Sequence, residues 1–388
     1  MITPRDKGSM KIELTPEQRR DRAEFRAFVA SEITPYANQF DREERVPQEL
    51  ISKIAARGYL GALVPRNGAE KGMDIITFGL LHEEFGQACS SLRSLLTVHN
   101  MVAHALLRWG SRVQREYWLP RLLSGEVIAA FCLTEPSVGS DATSVETTAT
   151  LSGDSYLLNG CKKWITFGQI AGLFLVFGQC EGKSAAFLVE KESRGLSIKP
   201  INGMLGVRAS MLAELHLNDC RVPKENLLGR VGSGFSHVAA SALDYGRYSV
   251  AWGCVGIAQA CVDASLKYAE ERKQFGEYLK DHQLIRRMLT NMITNVKAAR
   301  LLCLHAGYLK EIGDPQAMIE TSIAKYFAAT NASKAANDAV QIHGANGCSG
   351  DFPVERFFRD ARIMEIIEGS TQMQQLTIAE FGYQECRA

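Results

Sequence analysis

The sequence predicts an α+β multidomain protein. An all-α N-terminal part is followed by a middle antiparallel β-barrel and a C-terminal four-helix bundle. Three observations carry this. Helical periodicity dominates up to about residue 126, changes at Val127 to short apolar runs punctuated by Gly, Pro and Asn, and returns from Gly234 in long stretches. The boundaries this gives are 1–126, 127–228 and 229–388.

The first helix is signalled at Leu14-Thr15-Pro16-Glu17-Gln18. Thr15 is a natural N-cap, Pro16 suits the first helical position, and Gln18 completes a capping box. Phe25, Val29 and Ile33 recur at helical spacing beside Phe28, and Pro35 ends the pattern. Pro47 opens a second helix that Gly58 closes, and further helical stretches cover about 74–88, 92–109 and 112–124. Gly8-Ser9-Met10 resembles a cloning scar ahead of a start at Met10, so residues 1–9 carry no structural weight.

Past Val127 the chain reads as strands. Val127–Leu133 is a continuous apolar run, Val145–Thr150 alternates with threonines, and Ser152-Gly153-Asp154 makes a turn. Asn159-Gly160 reads as a second tight turn between Tyr156–Leu158 and Cys161–Thr166, because Asn-Gly between such runs is a hairpin signal. Further strands are expected at 173–177, 185–190, 196–200 and 212–217. Long helices then cover about 234–270, 282–311 and 315–343, with Gly276, Gly313 and Gly344 near their breaks. Helices of that length need partners along the whole apolar stripe, which a bundle provides.

Bulk properties exclude several classes of function. With 388 residues, 46% hydrophobic and 22% charged, the chain is an ordinary globular composition. A net charge of +1 gives no reason to expect nucleic-acid or membrane-surface binding. The ten cysteines are scattered without a C-x-x-C, and the eight histidines show no H-x-x-x-H, so reduced, mostly buried thiols and no metal site are expected. The N-terminal residues lead into no apolar core, and the apolar run Tyr248–Ala258 is shorter than the roughly 20 residues of a membrane span. The expectation is a soluble, cytoplasmic protein.

One stretch near the end carries chemistry: Ile363-Met364-Glu365-Ile366-Ile367-Glu368-Gly369-Ser370-Thr371-Gln372. A carboxylate leaving a hydrophobic run is poorly solvated and should be more basic for it. Gly369 lets backbone approach a ligand, and Ser370, Thr371 and Gln372 can cap a following helix. Glu365, one turn earlier, reads as a solvated or ion-paired helix residue.

Five blocks in order give the chain a resemblance to the acyl-CoA dehydrogenase family. They are Phe131–Asp141, Lys163–Thr166, Glu271–Gly276 with Gln283, Gln341–Gly347, and Ile367–Gln372. The resemblance implies an FAD enzyme, usually a homodimer or homotetramer, acting on an acyl thioester. It implies that Phe131, Leu133 and Thr134 meet the isoalloxazine ring, that Gly139 and Ser140 line the loop near the pyrophosphate and thioester, and that Trp164, Ile165 and Thr166 form the other wall. Arg272, Gln274, Phe275 and Gln283 would reach a neighbouring subunit's FAD, and Gln341, Gly344 and Ala345 its adenine end. Ser370 and Gln372 would complete the site. Arg272 suits a pyrophosphate through its planar fork, and Trp164 offers a flat apolar wall for a flat ring. His343 reads as structural.

The family chemistry makes Glu368 the base for the α-proton while the β-hydrogen leaves as hydride to flavin N5. Ser140, Asp244, Arg247 and Gly369 fall at substrate-side positions. Some members place the base on the helix carrying Leu243–Arg247; here that slot is Gly246, which favours Glu368. Two stretches, Trp164–Ala171 and Arg208–Glu214, are similar to a biosynthetic branch acting on acyl groups held by an acyl carrier protein, where hydroxymalonyl- or aminomalonyl-type units for antibiotics are made. That branch is the favoured substrate class. The alternatives are a catabolic acyl-CoA dehydrogenase passing electrons to an electron-transfer flavoprotein, and a non-catalytic flavin- or carrier-binding partner.

Overall fold

The computed structural model describes residues 12–65 and 71–386, so the segment read as a scar lies outside the described residues. Helix α1 (Pro16–Glu32) opens on the expected capping box: the Gln18 N–H donates to Thr15 Oγ1 at 3.2 Å and the Thr15 N–H to Gln18 Oε1 at 3.0 Å. Pro35 does end this helix, but only for one 3₁₀ turn, since proline fits the start of a new turn; α2 (Ala37–Glu43) follows at once. Helices α3 (Gln48–Ala56), α4 (Ile75–Ala88), α5 (Ser90–Trp109) and α6 (Arg112–Ser124) follow, close to the expected spans.

Eight strands come next: β1 (Ala129–Cys132), β2 (Thr148–Ser152), β3 (Ser155–Ile165), β4 (Leu173–Cys180), β5 (Lys183–Glu190), β6 (Leu196–Pro200), β7 (Ala213–Pro223) and β8 (Leu227–Leu228). Then come α7 (Ala240–Glu271), the short hairpin β9 (Lys273–Gln274) and β10 (Glu277–Tyr278), α8 (Gln283–Ile312), α9 (Ala317–His343), α10 (Val354–Met364) and α11 (Thr371–Glu385). A π-helical turn, Gly234–Ala239, leads into α7.

Contacts gather the chain into two compact units, one from residues up to 38, 74–90 and 247–388, the other from 39–73 and 91–246. In the first, the C-terminal helices do not bundle alone: α9 packs on α8, α10 and α11, while α4 packs on both α1 and α8. Two adjacent glutamates on α4 bind this unit together. Glu83 pairs with Arg22 at 2.8 Å and Arg300 at 2.7 Å, and Glu84 pairs with Arg22 at 2.8 Å and Arg26 at 2.9 Å. Both carboxylates are buried, which only such pairing makes tolerable. The most apolar window of Gly234–Glu271 is long and hydrophobic enough to cross a membrane, but 78% of it is buried within the protein, as in a core helix.

The second unit is built on one sheet in the order β6-β7-β3-β2-β4-β5-β8, with β1 also on β4. Strand β4 explains its own composition. Leu173, Leu175 and Phe177 face one core with Leu106 and Leu122, while Phe174, Val176 and Cys180 face another with Leu158, Leu215 and Leu217. A strand buried on both faces reads as a continuous apolar run.

Three expectations are corrected here. The hydrogen-bonded path is open, ending at β6 and β8, rather than a closed barrel. It is mixed rather than purely antiparallel, because β1 runs parallel to β4 and β2 meets β4 in parallel at Thr148–Gln179. Asn159-Gly160 is no turn: β3 runs through it, with a register shift against β7 between Leu158 and Gly160. The Asn159 side chain donates to Asp219 at 2.9 Å and accepts from the Asp219 N–H at 2.8 Å, and a Cβ on Gly160 would come within 2.8 Å of the Thr147 Cα. The glycine is there for close approach at a bulge, not for a reversal.

Helix α7 meets α4 as closely as backbones allow. A Cβ added to Gly256 would lie 2.2 Å from the Glu83 carbonyl oxygen and 2.7 Å from the Gln87 nitrogen. Neither backbone atom can swing away. Gly256→Ala should therefore lower stability by about 1–3 kcal/mol or more, the usual cost of overpacking, seen as a reduced denaturant midpoint.

Candidate active site

In the first unit, the stretch Ile363–Ile367 that leaves α10 ends in a tight reversal. Glu368 (φ 53°) and Gly369 (φ 88°) are consecutive left-handed residues, and the Thr371 N–H donates to the Glu365 carbonyl at 2.8 Å to close the loop. Glycine adopts this backbone freely; a glutamate there costs of order 1–2 kcal/mol. Side-chain donors offset that strain by taking both carbonyls. The Glu368 carbonyl accepts from Arg247 Nε and from Gln374 Nε2, each at 3.3 Å. The Gly369 carbonyl accepts from Gln374 Nε2 at 3.2 Å and from Lys325 Nζ at 2.7 Å. A Cβ on Gly369 would stand 2.6 Å from Gln374 Nε2, which the glutamine could relieve only by shifting its amide; the firm demand for glycine is its φ of 88°. Glu368 Oε2 is buried. Ser370 caps α11 as expected, accepting from the Met373 N–H at 3.3 Å, and Thr371 is buried while Gln372 is exposed. Glu365 is ion-paired, with Arg362 at 3.1 Å.

In the second unit, the residues assigned to the flavin wall are brought together by a buried ion pair. Lys162 Nζ donates to Glu135 Oε1 at 2.6 Å and to the Leu133 carbonyl at 3.2 Å. Glu135 also accepts from the Glu146 N–H at 2.6 Å, the Thr147 N–H at 3.0 Å and the Thr147 hydroxyl at 2.5 Å. Burial pushes the Glu135 carboxyl up, but Lys162, Thr147 and Glu146 together outweigh it and hold it below its ordinary value. The Lys163 N–H donates to the Thr134 carbonyl at 2.9 Å, tying the end of β1 to β3. The next residue, Trp164, is left-handed (φ 62°) and its indole is 47% exposed. Ile165 and Leu133 are buried, whereas Phe131, Thr134 and Thr166 are half-buried. Phe131 lies 4.9 Å from the Phe177 ring, and Gly139 and Ser140 are exposed.

The structure also joins the two stretches singled out for the biosynthetic branch. Ile165 pairs with Ala213 in the ladder, the Phe167 N–H donates to the Ser210 carbonyl at 2.8 Å, and the Gln169 side chain donates to the Leu212 carbonyl at 2.9 Å. Phe167 (φ 55°), Val207 (φ 47°) and Met211 (φ 44°) are all left-handed, a concentration of backbone strain of the kind that collects around functional sites.

The remaining assigned residues lie on exposed surface. Arg272, Gln274 and Gln283 are exposed around the β9–β10 hairpin, and Phe275 at its tip is left-handed and 97% exposed. Gln341, Gly344 and Ala345 are exposed at the end of α9. Asp244 is half-buried. His343 is structural as expected, donating from Nδ1 to the Ala339 carbonyl at 2.7 Å and stacking on Tyr268. All ten cysteines are free and seven are buried. Among the described residues, Cys161, Glu214 and His216 cluster as metal ligands do, but Glu214 is already paired with His216 at 2.7 Å and Lys163 at 3.2 Å. Sequence reasoning missed Lys325, Gln374 and the Glu135–Lys162 pair. A single lysine within Ile323-Ala324-Lys325-Tyr326-Phe327-Ala328-Ala329 was the available signal for the first.

Comparison with known proteins gives the class. Family models described as the N-terminal, middle and C-terminal domains of acyl-CoA dehydrogenase match residues 15–126, 130–220 and 232–382. The chain belongs to the acyl-CoA dehydrogenase family and is an oxidoreductase acting on acyl thioesters. It is 38% identical over 374 residues to the mouse mitochondrial short-chain specific acyl-CoA dehydrogenase, covering 95% of this chain and 90% of that one. Among solved structures, it is similar to a Mycobacterium smegmatis glutaryl-CoA dehydrogenase in complex with FADH2 (TM-score 0.90, 28% identity, 95% of this chain and 94% of that chain). It is also similar to FkbI, for biosynthesis of the methoxymalonyl extender unit of the FK520 polyketide (TM-score 0.84, 33% identity, 94% and 99%).

FAD is the family's cofactor, and the residues here fit it. Trp164, half exposed, stands at a fixed strand end with the Lys163 ammonium 5.1 Å from its ring centroid. An added Cβ on Gly139 would meet no atom within 4 Å, leaving that loop's backbone open to approach.

Lys162→Met should leave the Glu135 carboxylate buried without its cation, costing about 3–5 kcal/mol, read as a lower denaturant midpoint at pH 7. The pH dependence has a definite sign. Because the folded carboxyl lies below its ordinary 4.5, the pair's contribution is present above that pH and is lost as pH falls below it. The gap between wild type and variant should therefore narrow in acid.

Proposed function

We propose that the protein is an FAD-dependent dehydrogenase of a short acyl thioester and that Glu368 is its base. The observation that carries this is the Glu368–Gly369 turn: a left-handed glutamate with a buried carboxylate oxygen, both carbonyls of the turn held by side-chain donors. In this reading a Glu368 carboxylate oxygen takes the α-proton of the thioester. The Cα–H electron pair becomes the new Cα=Cβ bond, and the β-hydrogen leaves with its own pair. When bound, FAD supplies the acceptor for that hydride. The Glu368 N–H stabilises the negative charge developing on the thioester carbonyl oxygen. Phe131, Leu133, Thr134, Gly139, Ser140 and Trp164–Thr166 hold the cofactor, as do Ser370 and Gln372, while Asp244, Arg247 and Gly369 serve the substrate side.

The exposed hairpin and the end of α9 support an oligomeric reading. Phe275, 97% exposed at the tip of the hairpin, is free to meet a second copy. In the proposed assembly, a homodimer or homotetramer, Arg272, Gln274, Phe275, Gln283, Gln341, Gly344 and Ala345 complete the FAD site of a second copy.

For the tether, the reading we advance is a small acyl group on an acyl carrier protein. The support is the similarity to FkbI and the pairing of the Trp164–Ala171 and Arg208–Glu214 stretches. A CoA ester is the second reading, favoured by the 38% identity to the mouse short-chain enzyme.

Glu368→Gln should retain FAD and lower the rate of anaerobic flavin bleaching by at least roughly 100-fold, the usual contribution of a positioned base. Bleaching at the wild-type rate would remove Glu368 from the role. Presenting one acyl group on carrier protein and on CoA should give faster bleaching with the carrier. Equal or faster bleaching by the CoA ester would return the chain to the second reading.

A further inference from the structure

The Glu368–Gly369 turn is gripped by three donors, and one of them is unusual. Lys325 lies in the middle of α9 and is fully buried. Lysine is almost never buried to this extent unless it is paired with an anion. Here the 2.7 Å contact is with a neutral carbonyl, that of Gly369. Gln374 already donates to the same oxygen at 3.2 Å, so satisfying that acceptor does not by itself require a lysine. A buried cation that costs desolvation and duplicates an existing hydrogen bond needs another reason to be there. Its neighbours supply one: the charged and titratable groups acting on it are Cys254, Glu368, Arg247 and Glu365. Two of these are carboxylates, and one is the residue read as the base.

Resting on that reading of Glu368, we propose that Lys325 is a positioning residue for it. The ammonium fixes the Gly369 carbonyl and so locks the left-handed turn from which the Glu368 carboxylate is presented. A charge-assisted bond is roughly twice as strong as a neutral one, so an ammonium holds the turn where an amide alone would let it relax. Relaxation to the right-handed region would move the carboxylate without unfolding anything. Burial pushes the Lys325 ammonium down to about 8; Cys254, Glu368 and Glu365 oppose that fall, and Arg247 adds to it. The grip should therefore weaken as pH rises through this value.

Stability has the opposite sign. A lysine held below its ordinary 10.5 destabilises the fold while it is charged, and that cost is relieved as pH rises from about 8 towards 10.5. Replacing it by the similarly shaped Met removes the buried charge and leaves Gly369 its bond from Gln374.

The test uses the FAD-loaded wild type, Glu368→Gln, Lys325→Met and Lys325→Gln, each with anaerobic flavin bleaching and thermal melting followed from about pH 6 to 10. The expected result is that Lys325→Met bleaches roughly 10- to 100-fold more slowly at pH 7, with KM little changed and its melting temperature equal or higher. Wild type should lose rate as pH passes about 8, and both Lys325 variants should lack that alkaline limb. Lys325→Gln should fall between the other two in rate. A wild-type bleaching rate in Lys325→Met across this range overturns the proposal alone, provided Glu368→Gln is slow. So does a fall in melting temperature that accounts for the lost rate with the alkaline limb intact. If Lys325→Met does not fold, a flat wild-type profile through pH 8 overturns it. Failure of every thioester to bleach wild type overturns the reading of Glu368 and this proposal together.

Discussion

The buried pair of Glu135 and Lys162 is the constraint on which the second unit turns. A lysine and a glutamate, both almost wholly removed from water, are tolerated there because they neutralise each other, Glu135 accepts further hydrogen bonds from Thr147 and Glu146, and Lys162 donates to the Leu133 carbonyl. That network ties the end of β1, the 146–147 segment and β3 into one rigid corner. The neighbouring backbone bond from Lys163 to Thr134 then fixes the strand end, and Trp164 leaves it in a conformation that tryptophan adopts only under such constraint. The same pattern recurs in the first unit. Strain at Glu368 is sustained by donors from α7, α9 and α11, so that a short turn inherits the rigidity of three long helices.

Much of the fold was legible because local and tertiary preferences agree. The Thr15 capping box, the apolar run of β4 and the long helical periods each point to the element that forms. The failures have a common cause. Asn159-Gly160 carries a local turn signal that is overridden by a neighbouring strand: the glycine is demanded by Thr147 alongside it and the asparagine by Asp219 across from it. Pro35 ends α1 as its local signal says; what that signal does not carry is that the chain resumes as α2 after a single 3₁₀ turn. Closure of a barrel depends on long-range register, which no periodicity encodes; the sheet here has two free ends.

The candidate site divides in the same way. Glu368 and Gly369 stood out because an acidic residue leaving an apolar run is chemically conspicuous, and the structure gives both a left-handed backbone. Lys325 and Gln374 did not: Lys325 acts on a carbonyl 44 residues away and a lone lysine in an alanine-rich helix resembles any solvated one, while Gln374 reaches back only five and six residues, across a turn whose geometry no local pattern marks. Lys162 was hidden for a simpler reason. It sits beside Lys163 in the sequence, and only alternation along β3 sends one inward to Glu135 and the other outward to Glu214.

The chain is an acyl-thioester oxidoreductase, and under the proposed function the protein's share of the chemistry is to remove one proton from a fixed position. The most direct measurement of that share follows exchange of the substrate's α-hydrogen for deuterium in D₂O by NMR, comparing wild type with Glu368→Gln. The account predicts that the wild type catalyses exchange and that the glutamine variant, with FAD still bound, does not. Undiminished exchange in the variant, or oxidation by a wild type in which that hydrogen can be shown never to leave as a proton, would contradict it.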